Sequence, residues 1–149
     1  MPELPEVETV VRRLRAAGLV GRRIVQARAF WPKTVAAPAP ARFAREIRGR
    51  KIRRISRRGK FIVVELSGGA TLLIHLRMSG HLDVASVGSR PRRHDRVVWT
   101  LDDGRQLRFE DTRKFGRVWL VRDPAQVLGE LGPEPLGISP AAFAAGLAA

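Results

Sequence analysis

Lys60-Phe61-Ile62-Val63-Val64-Glu65-Leu66-Ser67-Gly68-Gly69-Ala70-Thr71-Leu72-Leu73-Ile74-His75-Leu76-Arg77-Met78 is the stretch on which the fold turns. Two apolar, β-branched runs, Lys60 to Leu66 and Thr71 to Met78, flank a Ser-Gly-Gly turn, which spells a β-hairpin. Working outward, Lys51 to Arg57 reads as a preceding strand. Arg96 to Leu101 and Gln106 to Glu110 flank Asp102-Asp103-Gly104, a second hairpin signal, and Arg117 to Arg122 gives a last strand. Ile24 to Phe30 is a further candidate. Trp31 to Ala41, rich in Pro and Ala, reads as a loop, and Phe43 and Ile47 mark a short helix before Gly49. Ser86 to Arg93, polar, basic and interrupted by Gly88 and Pro91, is expected to be a mobile loop.

One long helix precedes all of this. Val7, Val10, Val11 and Leu14 stand at i, i+3, i+4 and i+7, one apolar stripe. Pro5 suits the first turn, Glu6 and Glu8 suit the positive end of the helix dipole, and Arg12, Arg13 and Arg15 suit the other. Gly18 or Gly21 ends it. The expected architecture is therefore mainly β with a long N-terminal helix, a two-layer antiparallel β-sandwich. Residues 1–122 form that domain and 123–140, rich in Pro and Gly, a linker. Residues 141–149 resume a helical composition and are expected to begin a truncated second helical domain.

Composition limits the functions available. The 149 residues carry 28 Lys and Arg against 14 Asp and Glu, a formal charge of +14, which favours a polyanion as partner. Arginine excess alone is what a GC-rich genome produces, but that does not account for the shortage of acids. No apolar run is long enough to span a bilayer. The N-terminus is acidic where a secretory signal is basic, so a cytoplasmic, nucleoid-associated location is expected. Cysteine is absent, which excludes disulfides, thiolate zinc sites and a cysteine nucleophile. His75, His81 and His94 have no metal-binding spacing, so no metal site is expected in this chain.

The N-terminus offers chemistry of another kind. Removal of Met1 exposes the secondary amine of Pro2, and an α-amine titrates near ~8, so part of it is free at neutral pH. Such an amine forms an iminium with a sugar aldehyde, as lysine does in Schiff-base enzymes. Glu3 adjoins it and Glu6 follows one helical turn later, two carboxylates for proton transfer. For an arbitrary protein these residues are an ordinary Pro/Glu-rich helix start.

Pro2-Glu3-Leu4-Pro5-Glu6-Val7-Glu8-Thr9 resembles the beginning of the formamidopyrimidine-DNA glycosylases, and four more motifs follow in that family's order. They are Arg57-Arg58-Gly59-Lys60, Ile74-His75-Leu76-Arg77-Met78-Ser79-Gly80, Arg113-Lys114-Phe115-Gly116 and Leu131-Gly132-Pro133-Glu134-Pro135-Leu136. The resemblance implies a monomeric base-excision repair enzyme that removes oxidised purines (formamidopyrimidines and 8-oxoguanine) from double-stranded DNA and cleaves abasic sites. It implies Pro2 as nucleophile at the sugar C1′, Glu3 as acid and base, Glu6 as supporting carboxylate and Lys60 as a cation near the lesion phosphate. His94 and Arg113 correspond to DNA contacts. Met78, Arg113 and Phe115 correspond to the trio that fills the space left by an everted nucleotide. That eversion costs a few kcal/mol of unstacking, least for a damaged base.

By residue type alone, Met78 and Phe115 are core residues, Lys60 a strand-edge lysine and His94 a solvated histidine. His75, inside an apolar strand, reads as a hydrogen-bonded core residue. Arg50, Arg53, Arg54, Arg57 and Arg58 read as a solvated face. The family's zinc-bearing hairpin and helix–two-turn–helix element have no counterpart here, so no cofactor is expected and zinc belongs to the absent half. Thr112 stands where many members have proline. Two other readings share parts of the pattern. Endonuclease VIII-like enzymes, which prefer oxidised pyrimidines, begin Pro-Glu-Gly-Pro-Glu, where this chain has Leu4. A non-catalytic basic DNA-binding module would have no need of Pro2, Glu3 and Lys60.

Overall fold

A computed structural model describes residues 4–129 of the chain. The central hairpin forms as its sequence dictates, with β4 (Phe61–Leu66) antiparallel to β5 (Thr71–His75) and Ile62 opposite Ile74. β3 (Ile52–Arg58) pairs with the other side of β4, and β9 (Arg117–Val121) with the other side of β5. The second sheet holds β1 (Ile24–Ala29), β7 (Asp95–Leu101), β8 (Gln106–Asp111) and β6 (Gly80–Ala85), in the order β1-β7-β8-β6. The two-sheet, mainly β architecture with an N-terminal helix is the expected one.

Between the sheets lies one core. Ile62, Val64, Leu72, Ile74, Val118, Val97, Trp99, Leu107 and Phe109 fill it, all at most 2 % exposed. The alternate residues Val63 and Leu73 point the other way and are equally buried, because Leu128 of α3 (Ala125–Leu128) packs over that outer face. Two covered faces explain why β4 and β5 are apolar throughout rather than alternating.

Helices close both open sides of the sandwich. α1 (Leu4–Ala16) buries Val7, Val11 and Leu14 along the gap between the edge strands β3 and β6. Arg13 donates to the Leu82 carbonyl of β6 at 2.6 Å and Arg15 to the Ile55 carbonyl of β3 at 2.7 Å. On the opposite side α2 (Pro40–Ile47) covers the gap between β1 and β2 (Val35–Ala37) with Phe43 and Ile47.

The structure departs from the sequence reading in four places. Within the expected 31–41 loop, β2 (Val35–Ala37) pairs in parallel with β9, so the five-stranded sheet is mixed. Three small residues carry no strand pattern, and the neighbour supplies the pairing. The expected strand through Met78 stops at His75; the chain turns with Arg77 at φ +54° and re-enters the other sheet as β6.

The expected mobile loop 86–93 is tethered across the outer face of its sheet. The buried Arg108 guanidinium donates to the Ser89 and Arg90 carbonyls at 2.7 Å, and Arg92 bonds Asp83 and Asp95. Finally, Arg57 and Arg58 are buried, at 4 % and 5 % exposure, not solvated. Arg57 donates to the Glu8 carboxylate of α1 at 2.9 Å, tying the helix to β3. Residues 130–149, and with them most of the proposed linker, the 141–149 segment and the Leu131–Leu136 motif, lie outside the described residues.

Candidate nucleic-acid interface

Strand register decides where the functional candidates meet. Arg58 pairs with Phe61, Phe61 with His75, and His75 with Arg117, so the β3–β4 turn, the end of β5 and the start of β9 share one end of the sandwich. In the facing sheet Gly80 pairs with Asp111 and Asp95 with Glu110, which brings the start of β6, the end of β8 and the start of β7 to that same end. Lys60, Met78, His94, Arg113 and Phe115 all stand on these connections. The Glu8–Arg57 pair places the first half of α1 beside the end of β3, and Glu6 is exposed in its first turn. Pro2 and Glu3 lie outside the described residues.

Met78 and Phe115 contradict their type. They are 52 % and 43 % exposed, and the turns that carry them are held rigidly. The two connections at which the chain crosses between sheets, β5 to β6 and β8 to β9, lie side by side, and a single carboxylate joins them. Asp111, 1 % exposed, accepts the Ser79 hydroxyl from the first turn, the Arg113 N–H at 3.1 Å and the Gly116 N–H at 2.7 Å from the second. Its own backbone N–H donates to the His94 carbonyl at 3.0 Å, and its carbonyl accepts Arg96 at 2.7 Å.

Each turn folds back on its own crossover so tightly that a side chain has no room at its glycine. A Cβ at Gly80 would lie 2.5 Å from the Leu76 carbonyl oxygen, and one at Gly116 would strike the Phe109 ring and sit 2.9 Å from Asp111 Oδ2. The Arg113 guanidinium lies over the Phe115 ring at 4.9 Å, and the Lys114 ammonium over Trp31 at 4.1 Å, so the second turn holds cation and ring together.

Beside the turns that carry Met78 and Phe115 is a group of basic residues the sequence reading did not assemble. His75, half-buried, packs edge-on against Phe61 at 4.8 Å, and its Nδ1 accepts the Arg77 backbone N–H at 3.1 Å. Burial, reinforced by the positive charges of Arg77 and Lys60, lowers its pKa to about 4. The ring is thus neutral at pH 7, with Nδ1 occupied as an acceptor and Nε2 left as the N–H donor. His75 is hydrogen-bonded as expected, but on an outer face next to Lys60 rather than in the core. The signal in the sequence was its strand parity: Leu72 and Ile74 point inward, so His75 points out. Among the described residues no three His, Asp or Glu side chains gather as a metal site.

One end of this β-sandwich thus combines clustered cations with apolar side chains held out into solvent. The family described as formamidopyrimidine-DNA glycosylase N-terminal domain matches residues 1–118. This chain belongs to that family. The formamidopyrimidine-DNA glycosylase of Chloroflexus aurantiacus is 49% identical over 149 residues, covering 97% of this chain and 53% of the relative. That of Protochlamydia amoebophila is 44% identical over 136 residues, covering 91% of this chain and 49% of the relative.

Among solved structures, Lactococcus lactis Fpg bound to DNA containing an oxidised pyrimidine superposes with a TM-score of 0.77 at 36% identity, over 84% of this chain and 46% of that one. MutM bound to DNA containing carbocyclic 8-oxo-G gives 0.78 at 36% identity, over 86% and 46%. The chain therefore spans about half the length of the relatives it matches.

Proposed function

We propose that this chain is the catalytic half of a base-excision repair glycosylase and abasic-site lyase acting on oxidised purines in duplex DNA. The observation that carries the reading is the pair of exposed apolar side chains, Met78 and Phe115, with Arg113 stacked beside them, on turns locked at one cationic end. Water is a poor environment for such side chains, whereas the gap left by an everted nucleotide suits them. Lys60 and the neutral His75 beside it offer N–H donors to a backbone phosphate. Solved relatives bound to DNA with FAPY-dG, with 8-oxo-G and with an abasic site support the substrate class.

In the reaction the Pro2 nitrogen attacks C1′ and the C1′–base bond breaks, its electron pair leaving with the base, which takes up a proton. Glu3 protonates the ring oxygen as the C1′–O4′ bond opens to the iminium. The iminium acidifies the C2′ proton; its loss expels the 3′ phosphate by elimination. Glu6, in the first turn of α1, is the supporting carboxylate of the same pocket. No metal or organic cofactor enters these steps, zinc being assigned to the family's other domain. The protein acts as a monomer within the bacterial cytoplasm, at the nucleoid.

Borohydride trapping on a duplex with an abasic site tests this, using protein whose intact mass shows Met1 removed. The expected result is a covalent adduct mapped by peptide mass to the nitrogen of residue 2, and strongly reduced by Pro2→Gly. No adduct from such protein, with duplex binding retained, would make the chain a non-catalytic DNA-binding module.

A further inference from the structure

The buried Asp111 carboxylate bonds to both wedge-bearing turns. From it, and resting on the duplex-lesion reading above, we infer that Asp111 is a positioning residue that makes Met78, Arg113 and Phe115 enter the duplex as one rigid unit. The residue lies beneath a surface built for phosphates, where a negative charge is out of place unless its donors need it. Those donors are specific. Oδ1 takes the Ser79 hydroxyl, next to Met78, together with the Arg113 N–H, and Oδ2 takes the Gly116 N–H, next to Phe115. The backbone of the same residue holds the His94 carbonyl. Every residue assigned to the wedge is thus within one residue of a group bonded to Asp111, although the two turns are separated by the whole of β6, β7 and β8.

Both turns contain a non-glycine residue with positive φ, Arg77 at +54° and Lys114 at +61°. Such backbone is disfavoured unless its surroundings hold it. Donation from flanking N–H and O–H groups to one buried anion provides that hold and links the turns, so that displacing one displaces the other.

Asparagine is nearly isosteric with aspartate but cannot serve. Whichever way its amide turns, the NH2 faces a backbone N–H, that of Arg113 or that of Gly116. Asp111→Asn, Ser79→Ala and Ser79→Thr separate positioning from folding, because Ser79→Ala cuts only the link to the Met78 turn and Thr restores the hydroxyl. The readout is fluorescence of 2-aminopurine placed opposite a tetrahydrofuran abasic analogue, which rises when the wedge unstacks it, alongside thermal unfolding and affinity for undamaged duplex.

In the full chain, Ser79→Ala is expected to slow insertion about tenfold, with unfolding temperature and undamaged-duplex affinity near the parent values, and Ser79→Thr to recover most of it. Asp111→Asn is expected to lose more. Folded Ser79→Ala that inserts at the parent rate would overturn the inference even if Asp111→Asn fails to fold. A parent chain that binds the duplex without any fluorescence rise would instead overturn the wedge reading beneath it.

Discussion

Truncating Phe115 to alanine distinguishes an exposed wedge from a core residue by the sign of two measurements. A core phenylalanine cut to alanine costs about 3–5 kcal/mol of stability, and in a chain of this size that lowers the unfolding temperature by roughly 10–15 °C. Phe115 is 43 % exposed, and its ring stacks with the Arg113 guanidinium at 4.9 Å, a contact of about 0.5–1 kcal/mol at an exposed site. The expected loss is therefore only a few degrees.

Binding should respond in the opposite way. A phenylalanine side chain offers about 200 Å², so the exposed share is roughly 85 Å². Removing that from water on insertion is worth about 2 kcal/mol, or roughly 30-fold in affinity. Fluorescence anisotropy with a tetrahydrofuran-containing duplex and its undamaged counterpart measures this. Affinity for the damaged duplex should fall roughly 30-fold while that for the undamaged one, set by phosphate contacts, stays put. A fall of more than about 10 °C in unfolding temperature, or an unchanged preference for the damaged duplex, would refute the reasoning.

Two further outcomes follow from the same end of the molecule. In the unfolded chain His75 takes up its proton near the ordinary 6.5, whereas in the fold it does so only at about 4. Between those values the unfolded state binds more protons, so the contribution of His75 to stability is complete above pH 6.5 and is lost as the pH falls toward 4. With the ring half-buried this amounts to about 1–2 kcal/mol. Urea midpoints at pH 7 and pH 5 should draw together in His75→Gln, and an unchanged gap would remove His75 as the cause. Gly116→Ala puts a methyl group against the Phe109 ring and Asp111 Oδ2, which should cost about 1–3 kcal/mol by overpacking. Thermal unfolding identical to the parent would show that the turn has more room than its geometry indicates.

The elements that were legible in the sequence are those whose signal is local. α1 carries its stripe and its charges within thirteen residues, and the hairpin around Gly68-Gly69 has its turn residues between its two apolar runs. β6 was missed because nothing before it announces a break: the chain turns at Arg77, with no proline, and the glycine there opens the next strand. β2 is a strand only through its pairing with β9, some eighty residues later. Arg57 gave no sign of burial because its partner, Glu8, lies 49 positions away. At the interface the family motifs marked Lys60, Met78, His94, Arg113 and Phe115, which register then collected at one end. Asp111 went unnoticed because an acid in a basic stretch reads as a solvated counter-charge, and only the meeting of two distant turns gives it donors.

The placement of the wedge follows from how the sandwich is threaded. Within a sheet, pleat and pairing fix the direction of each side chain, and an apolar residue is driven to a covered face. Met78 and Phe115 sit instead where the chain leaves one sheet for the other, and there neither pleat dictates direction. A crossover is thus a place where an apolar side chain can be turned outward without breaking a strand, but the freedom that permits this also permits disorder. An ordered wedge needs local constraint, and the structure provides it with groups too small or too buried to be seen from outside: Gly80 and Gly116 let each crossover fold tightly on itself, and the Asp111 carboxylate bonds to both crossovers. Because the fixing groups lie beneath the surface and the apolar groups above it, the proposed insertion would have its ordering cost met in folding rather than on the DNA.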